Sequence, residues 1–126
     1  MTSEPDIMKF LVDKYNSGVV VGIPSIIGSE MIFKQWNYKF KIGKFGLLEA
    51  DTDDLVDLTQ SDILCIAPLV ACTRSGDRLG RGGGFYDRFF AKYPQIFKAG
   101  VCYKEQVLSE IPTMPYDIKL DRIIYF

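Results

Sequence analysis

The chain has 126 residues, 48% of them hydrophobic and 25% charged, with a formal net charge of −1. Such a length suits one domain with a real core, and the balance excludes a disordered tract and gives no bulk charge for nucleic acid or an anionic membrane. There is no histidine, which removes the usual neutral-pH base and the commonest metal ligand, so any chemistry must use other groups.

In chain order, Ser3-Glu4-Pro5-Asp6 reads as a helix start: a capping serine, proline in the first turn and an acid three residues past the cap. Ile7, Phe10, Leu11 and Tyr15 then recur at helical spacing as far as Asn16-Ser17-Gly18, where glycine can take the left-handed turn that ends a helix. "VVVGIP", Val19 to Pro24, is a short β-branched run closed by proline, which predicts a buried parallel strand. Met31-Ile32-Phe33 and the alternating Trp36, Tyr38 and Phe40 suggest antiparallel or edge strands. The acid-rich end of "FGLLEADTDD" reads as a solvated loop.

"DILCIAPLV", Asp62 to Val70, is the strongest strand signal. "FYDRFFAKY" suits a helix, and "IFKAGVCY" and "RIIYF" suit further strands. Strands interleaved with helices predict a layered α/β fold with a mostly parallel central sheet, a single domain over residues 1–126. Cys65, Cys72 and Cys102 form no CxxC pair, and two of them lie in apolar runs. They read as buried structural thiols suited to a reducing cytoplasm. No signal-peptide pattern is seen, and the longest apolar run, near Ile63 to Val70, is too short to span a bilayer.

The chemistry-bearing segment is "GDRLGRGGGFYDRF", Gly76 to Phe89. A strand, a glycine-rich loop and a helix in that order make a phosphate site, because glycines let the backbone approach an anion and the next helix points free amides at it. Two common fingerprints fail. No lysine followed by serine or threonine comes after the glycines, and Phe85 stands where a dinucleotide loop needs its third glycine. A flexible surface turn with solvated arginines remains an alternative. An RGG-type RNA-binding tract is another, disfavoured because the tract is single, short and framed by apolar elements.

The full string "GDRLGRGGGFYDR" resembles the signature of the 5-formyltetrahydrofolate cyclo-ligase family, roughly G-x-R-L-G-x-G-x-G-[FY]-Y-D-R. Supporting matches are "EPDIMKFLVDKYNSG", "KFGLLEA" and "YKEQVLSEIPTMPYDIKLDRII", in unbroken order from about Ser3 to the C-terminus. The resemblance implies a Rossmann-like sheet of the cyclo-ligase type, lacking the family's first helices, its first strand and its N-terminal Lys/Arg motif. It implies ATP as co-substrate, magnesium, and a reduced folate as substrate. It also implies that Arg78, Leu79, Gly80, Arg81, Gly82, Gly83, Gly84, Phe85 and Tyr86 hold the ATP phosphates, with Arg78, Arg81 and Tyr86 at the reacting groups. Arg81 to Phe85, with Glu4, would border the folate, and Asp87 with Asp117 would hold magnesium. Read from the residues alone, Asp87 complements a helix dipole, Asp117 is a turn residue and Glu4 is a helix-start acid.

The chain departs from the pattern at Cys72-Thr73, where the family usually has Phe-Asp, at Gly83, where some members carry lysine, and at Ala50 in place of proline. A sheet lacking its first strand would expose an edge, which suggests a homodimer covering it. A catalytically weak relic that still binds nucleotide or folate, and a general phosphate- or RNA-binding module, are the competing functional expectations.

Overall fold

The computed structural model describes residues 7–43, 48–80 and 84–126. The chain divides into two compact units, Asp6–Leu58 and Thr59–Phe126.

In the first unit, helix α1 (Met8–Asn16) begins after Ile7, which makes no side-chain cap. The capping serine expected at Ser3 lies outside the described residues. The helix ends as its sequence predicts, with Gly18 at φ +92°. Strands β1 (Gly22–Ile27) and β2 (Glu30–Gln35) form an antiparallel hairpin in the register Ser25↔Ile32.

This corrects the expectation of a buried parallel strand over Val19 to Pro24. Val19 and Val20 are exposed at 50% and 62%, and the strand starts three residues later. The deciding feature is the two-residue turn Gly28-Ser29, with Gly28 at φ +62°, which joins apolar runs into a hairpin. Pro24 is tolerated because this sheet has two strands and leaves Pro24 an open side.

Strands β3 (Phe40–Ile42) and β4 (Leu48–Ala50) form a second antiparallel pair. Trp36 and Tyr38 fall between strands, Tyr38 at φ +70°. Their rings pack with Tyr15 at 4.7–5.5 Å between centroids, and Val21, Trp36 and Ala50 form the buried centre.

The second unit holds the parallel sheet. Strands β5 (Leu64–Ala67), β8 (Phe97–Cys102) and β9 (Arg122–Tyr125) lie in the order β5-β8-β9, both pairs parallel. β5 is shorter than the apolar run predicts, since Pro68 lacks the N–H that would continue the ladder. The chain instead turns into a small antiparallel pair, β6 (Ala71–Cys72) with β7 (Arg78–Leu79). Helix α2 (Phe85–Lys92) then buries Phe89 and Phe90.

Phe90, Leu69, Ile96, Cys72 and Cys102 are the largest fully buried side chains, all in this unit. Gly100 on β8 lets two leucines pack close: a Cβ there would lie 2.7 Å from Leu120 Cδ1 and 2.8 Å from Leu69 Cδ2, so those side-chain ends would have to shift. The α/β class with a parallel sheet agrees with the sequence expectation.

Candidate functional site

The glycine-rich stretch is entered through a hairpin rather than a loop. Thr73, Ser75 and Asp77 tie its turn together. The Thr73 hydroxyl donates to Asp77 Oδ2 at 3.1 Å and accepts the Asp77 main-chain N–H at 3.2 Å, while Thr73 N donates to Asp77 O at 3.0 Å. Thr73, one of the departures from the family pattern, is therefore a buried turn-former. The Ser/Thr/Asp spacing in "CTRSGD" carries a turn signal that sequence reasoning passed over. Gly76 closes the turn at φ +98°, where a Cβ would meet the Leu120 carbonyl oxygen at 2.6 Å.

Pairing of Cys72 with Arg78 places that arginine on β7. Its Nη1 donates to the Pro68 carbonyl at 2.9 Å, its guanidinium lies 5.2 Å from the centre of the Tyr86 ring, and a Cβ on Gly80 would touch it at 2.6 Å. No carboxylate neutralises Arg78 among the described residues. A half-buried cation with an aromatic ring beneath it and a glycine beside it is poised to take an oxyanion. Leu79 contributes its carbonyl to Val70 N–H at 2.7 Å.

Gly84 starts α2 in the left-handed region, φ +68°, and accepts the Arg88 N–H at 3.1 Å. Phe85 lies under the Arg88 guanidinium at 4.8 Å. Asp87 stands in the first turn of α2, and its Oδ1 accepts the Ile118 N–H at 3.2 Å. Asp117 closes a turn of its own: Met114 N donates to its Oδ2 at 2.8 Å, and Asp117 N donates to Met114 O at 3.0 Å. The Asp87 carboxylate is thus bound to the residue next to Asp117. Lys119 Nζ reaches Asp77 Oδ1 at 3.5 Å, joining the 114–120 segment to the hairpin.

The structure therefore brings Arg78, Gly80 and Tyr86 together, and separately ties Asp87 to the neighbour of Asp117. Glu4, Arg81, Gly82 and Gly83 lie outside the described residues. The Pro68 carbonyl and the Ile118 amide were missed by sequence reasoning, and no side-chain pattern could have revealed them, because both act through the main chain. Among the described residues no three carboxylate or thiol groups cluster as a metal cage.

All three thiols are buried and free. Burial pushes Cys65 up to about 12. Burial, and then the hydrogen bond to Cys102 with 3.8 Å between sulfurs, push Cys72 up to about 12. Cys65 and Cys72 are therefore protonated at neutral pH, which fits packing and not nucleophilic chemistry.

The fold and this site define an α/β protein in which a hairpin carrying Arg78 and a short helix carrying Tyr86 and Asp87 share one unit with a parallel sheet. The family model of the 5-formyltetrahydrofolate cyclo-ligases matches residues 1–126, and the chain belongs to that family. A probable 5-formyltetrahydrofolate cyclo-ligase of Schizosaccharomyces pombe is 33% identical over 129 residues, covering 87% of this chain and 63% of that protein. The 5-formyltetrahydrofolate cyclo-ligase of Escherichia coli K12 is 38% identical over 77 residues, covering 59% of this chain and 41% of that protein. The NMR structure of Aquifex aeolicus 5,10-methenyltetrahydrofolate synthetase superposes with a TM-score of 0.79 at 26% identity, covering 99% of this chain and 64% of that one. The chain thus spans less than two thirds of each of these relatives. No described helix is long and apolar enough to cross a membrane.

Proposed function

We propose that this chain carries the chemistry for which its relatives are named, conversion of 5-formyltetrahydrofolate to 5,10-methenyltetrahydrofolate, that ATP drives it, and that residues 1–126 form one cyclo-ligase domain. The terminal phosphoryl group of ATP passes to the formyl oxygen, leaving ADP. The neighbouring folate amine attacks the activated carbon and loses its proton, and phosphate leaves as the ring closes. The observation that carries this reading is the uncompensated Arg78 guanidinium, held over Tyr86 at the root of the glycine run.

In this reading Arg78 neutralises phosphate charge as it shifts, which needs a fixed donor more than a proton carrier. The Pro68 carbonyl and the Tyr86 ring hold its orientation. Arg81 adds the second cation, and the amides of Gly80, Gly82, Gly83 and Gly84 cradle the phosphates. Arg81 to Phe85 and Glu4 border the folate.

Asp87 and Asp117 fit magnesium: each carboxylate gives one oxygen to a main-chain amide and keeps the other. Magnesium takes one or two carboxylates with water and phosphate oxygens and does not need a closed protein cage. When bound it would neutralise and orient the phosphates. The three buried free cysteines favour a reducing compartment such as the cytoplasm.

The test is formation of methenyltetrahydrofolate, followed by its absorbance, with ATP and magnesium. Product should depend on both and fall by about 100-fold or more in kcat/KM for Arg78→Gln. No product above a no-enzyme control overturns the reading. Calorimetry with ATP and with the folate separately then distinguishes a chain that binds without turning over.

A further inference from the structure

The carbonyls of three successive residues, Pro68, Leu69 and Val70, are all taken by side chains. Arg78 Nη1 donates to Pro68 O at 2.9 Å, and Gln106 Nε2 donates to Leu69 O and to Val70 O, each at 3.3 Å. These three residues lie between β5 and β6, outside both strands. The Val70 N–H in turn donates to the Leu79 carbonyl at 2.7 Å, beside Arg78 on β7. Gln106 thus holds, from 36 and 37 positions away, the stretch of main chain on which the guanidinium rests.

The orientation of the Gln106 amide is fixed. Its Oε1 accepts the Tyr103 main-chain N–H at 2.7 Å across the short 3-10 turn Lys104–Gln106. Only the oxygen can accept that bond, so Nε2 is left facing the two carbonyls. The turn itself is docked on β6: the Leu108 N–H donates to Cys72 O at 2.8 Å, and Val107 bridges Cys72 in parallel. Closing the turn uses the oxygen alone. The outward-facing nitrogen is the half of the amide that bears on Arg78.

We infer that Gln106 is a positioning residue for Arg78: its amide fixes the Pro68–Val70 main chain, so that the Pro68 carbonyl holds the guanidinium over Tyr86. The consequence for ATP rests on the phosphate role proposed for Arg78, whereas the positioning itself does not.

The test compares wild type with Gln106→Met, which keeps length and neutrality but removes both sets of bonds, and with Ile96→Val, a change at a fully buried side chain that controls for lost stability. In NMR spectra of isotope-labelled protein the Arg78 Nε–H resonance, displaced by the Tyr86 ring in wild type, should move towards the free-arginine position in Gln106→Met and stay in place in Ile96→Val. Gln106→Glu keeps the oxygen that closes the turn but sets a carboxylate oxygen against the two carbonyls, so it should move the resonance as well. ATP affinity in calorimetry should fall about fivefold or more in Gln106→Met, folate affinity should stay within about twofold, and Gln106→Met should cost little further ATP affinity in an Arg78→Gln background. An Arg78 resonance unmoved by both Gln106 substitutions, one moved equally by Ile96→Val, or full additivity in the double variant overturns the proposal. Wild-type protein that binds no ATP overturns the phosphate role of Arg78 instead, and the resonance still decides the positioning.

Discussion

Asp87 Oδ1 accepts the main-chain N–H of Ile118 at 3.2 Å, so one carboxylate ties the first turn of α2 to the segment that carries Asp117. The same group is asked to hold a tie and to carry charge, and substitutions separate the two. Asp87→Asn keeps an acceptor oxygen and should change stability by under about 0.5 kcal/mol in urea unfolding, whereas Asp87→Ala should cost about 1 kcal/mol. Both should raise the magnesium concentration needed for half-maximal turnover by about tenfold or more. An unchanged magnesium requirement would remove Asp87 from the metal site.

Arg78 combines a directed hydrogen bond to Pro68 O with a stack on Tyr86. Lysine preserves the charge but not the planar fork. Arg78→Lys should therefore weaken ATP binding by about tenfold in calorimetry, and Arg78→Gln by more, while the unfolding midpoint of each shifts little. Equal affinities for wild type and Arg78→Lys would show that a point charge suffices.

Gly76 meets two constraints at once, φ +98° and a Leu120 carbonyl oxygen 2.6 Å from where a Cβ would stand. Gly76→Ala should cost about 2–4 kcal/mol in denaturant unfolding. At Gly84 the close neighbour of a new Cβ among the described residues is the movable end of Arg88, so Gly84→Ala should cost the left-handed backbone penalty, about 1–2 kcal/mol. The reverse order of losses would contradict this placement of the turn.

Burial raises Cys65 and Cys72 from 9.0 to about 12. Above the unfolded value the native state holds these protons and the unfolded state sheds them. Their contribution to stability is therefore full below pH 9.0 and is lost as the pH climbs towards about 12. Urea midpoints measured through this range should fall, and Cys65→Ala should fall less steeply than wild type. Parallel slopes for the two proteins would show that Cys65 is not desolvated.

The periodicity of "FYDRFFAKY" and the β-rich runs "IFKAGVCY" and "RIIYF" locate α2, β8 and β9 directly: α2 buries Phe89 and Phe90, β8 is buried on both faces from Lys98 to Cys102, and β9 pairs along it. "VVVGIP" misled because three β-branched residues do not say what lies opposite them. The Gly28-Ser29 turn supplied an antiparallel partner and left Val19 and Val20 in solvent. At the candidate site, Arg78, Tyr86 and Asp87 were legible as side chains in a dense motif, whereas their holders were not.

Local propensity and a contiguous string were enough to set the α/β class, the glycine run with its arginines and the family. Those depend on neighbours in the chain, and neighbours are what a sequence states. Tertiary structure alone decided that Arg78 rests on the Pro68 carbonyl and that Asp87 meets Ile118. Both contacts run through main-chain atoms common to every residue, and the second crosses 31 positions, so chain folding and not residue type determines them.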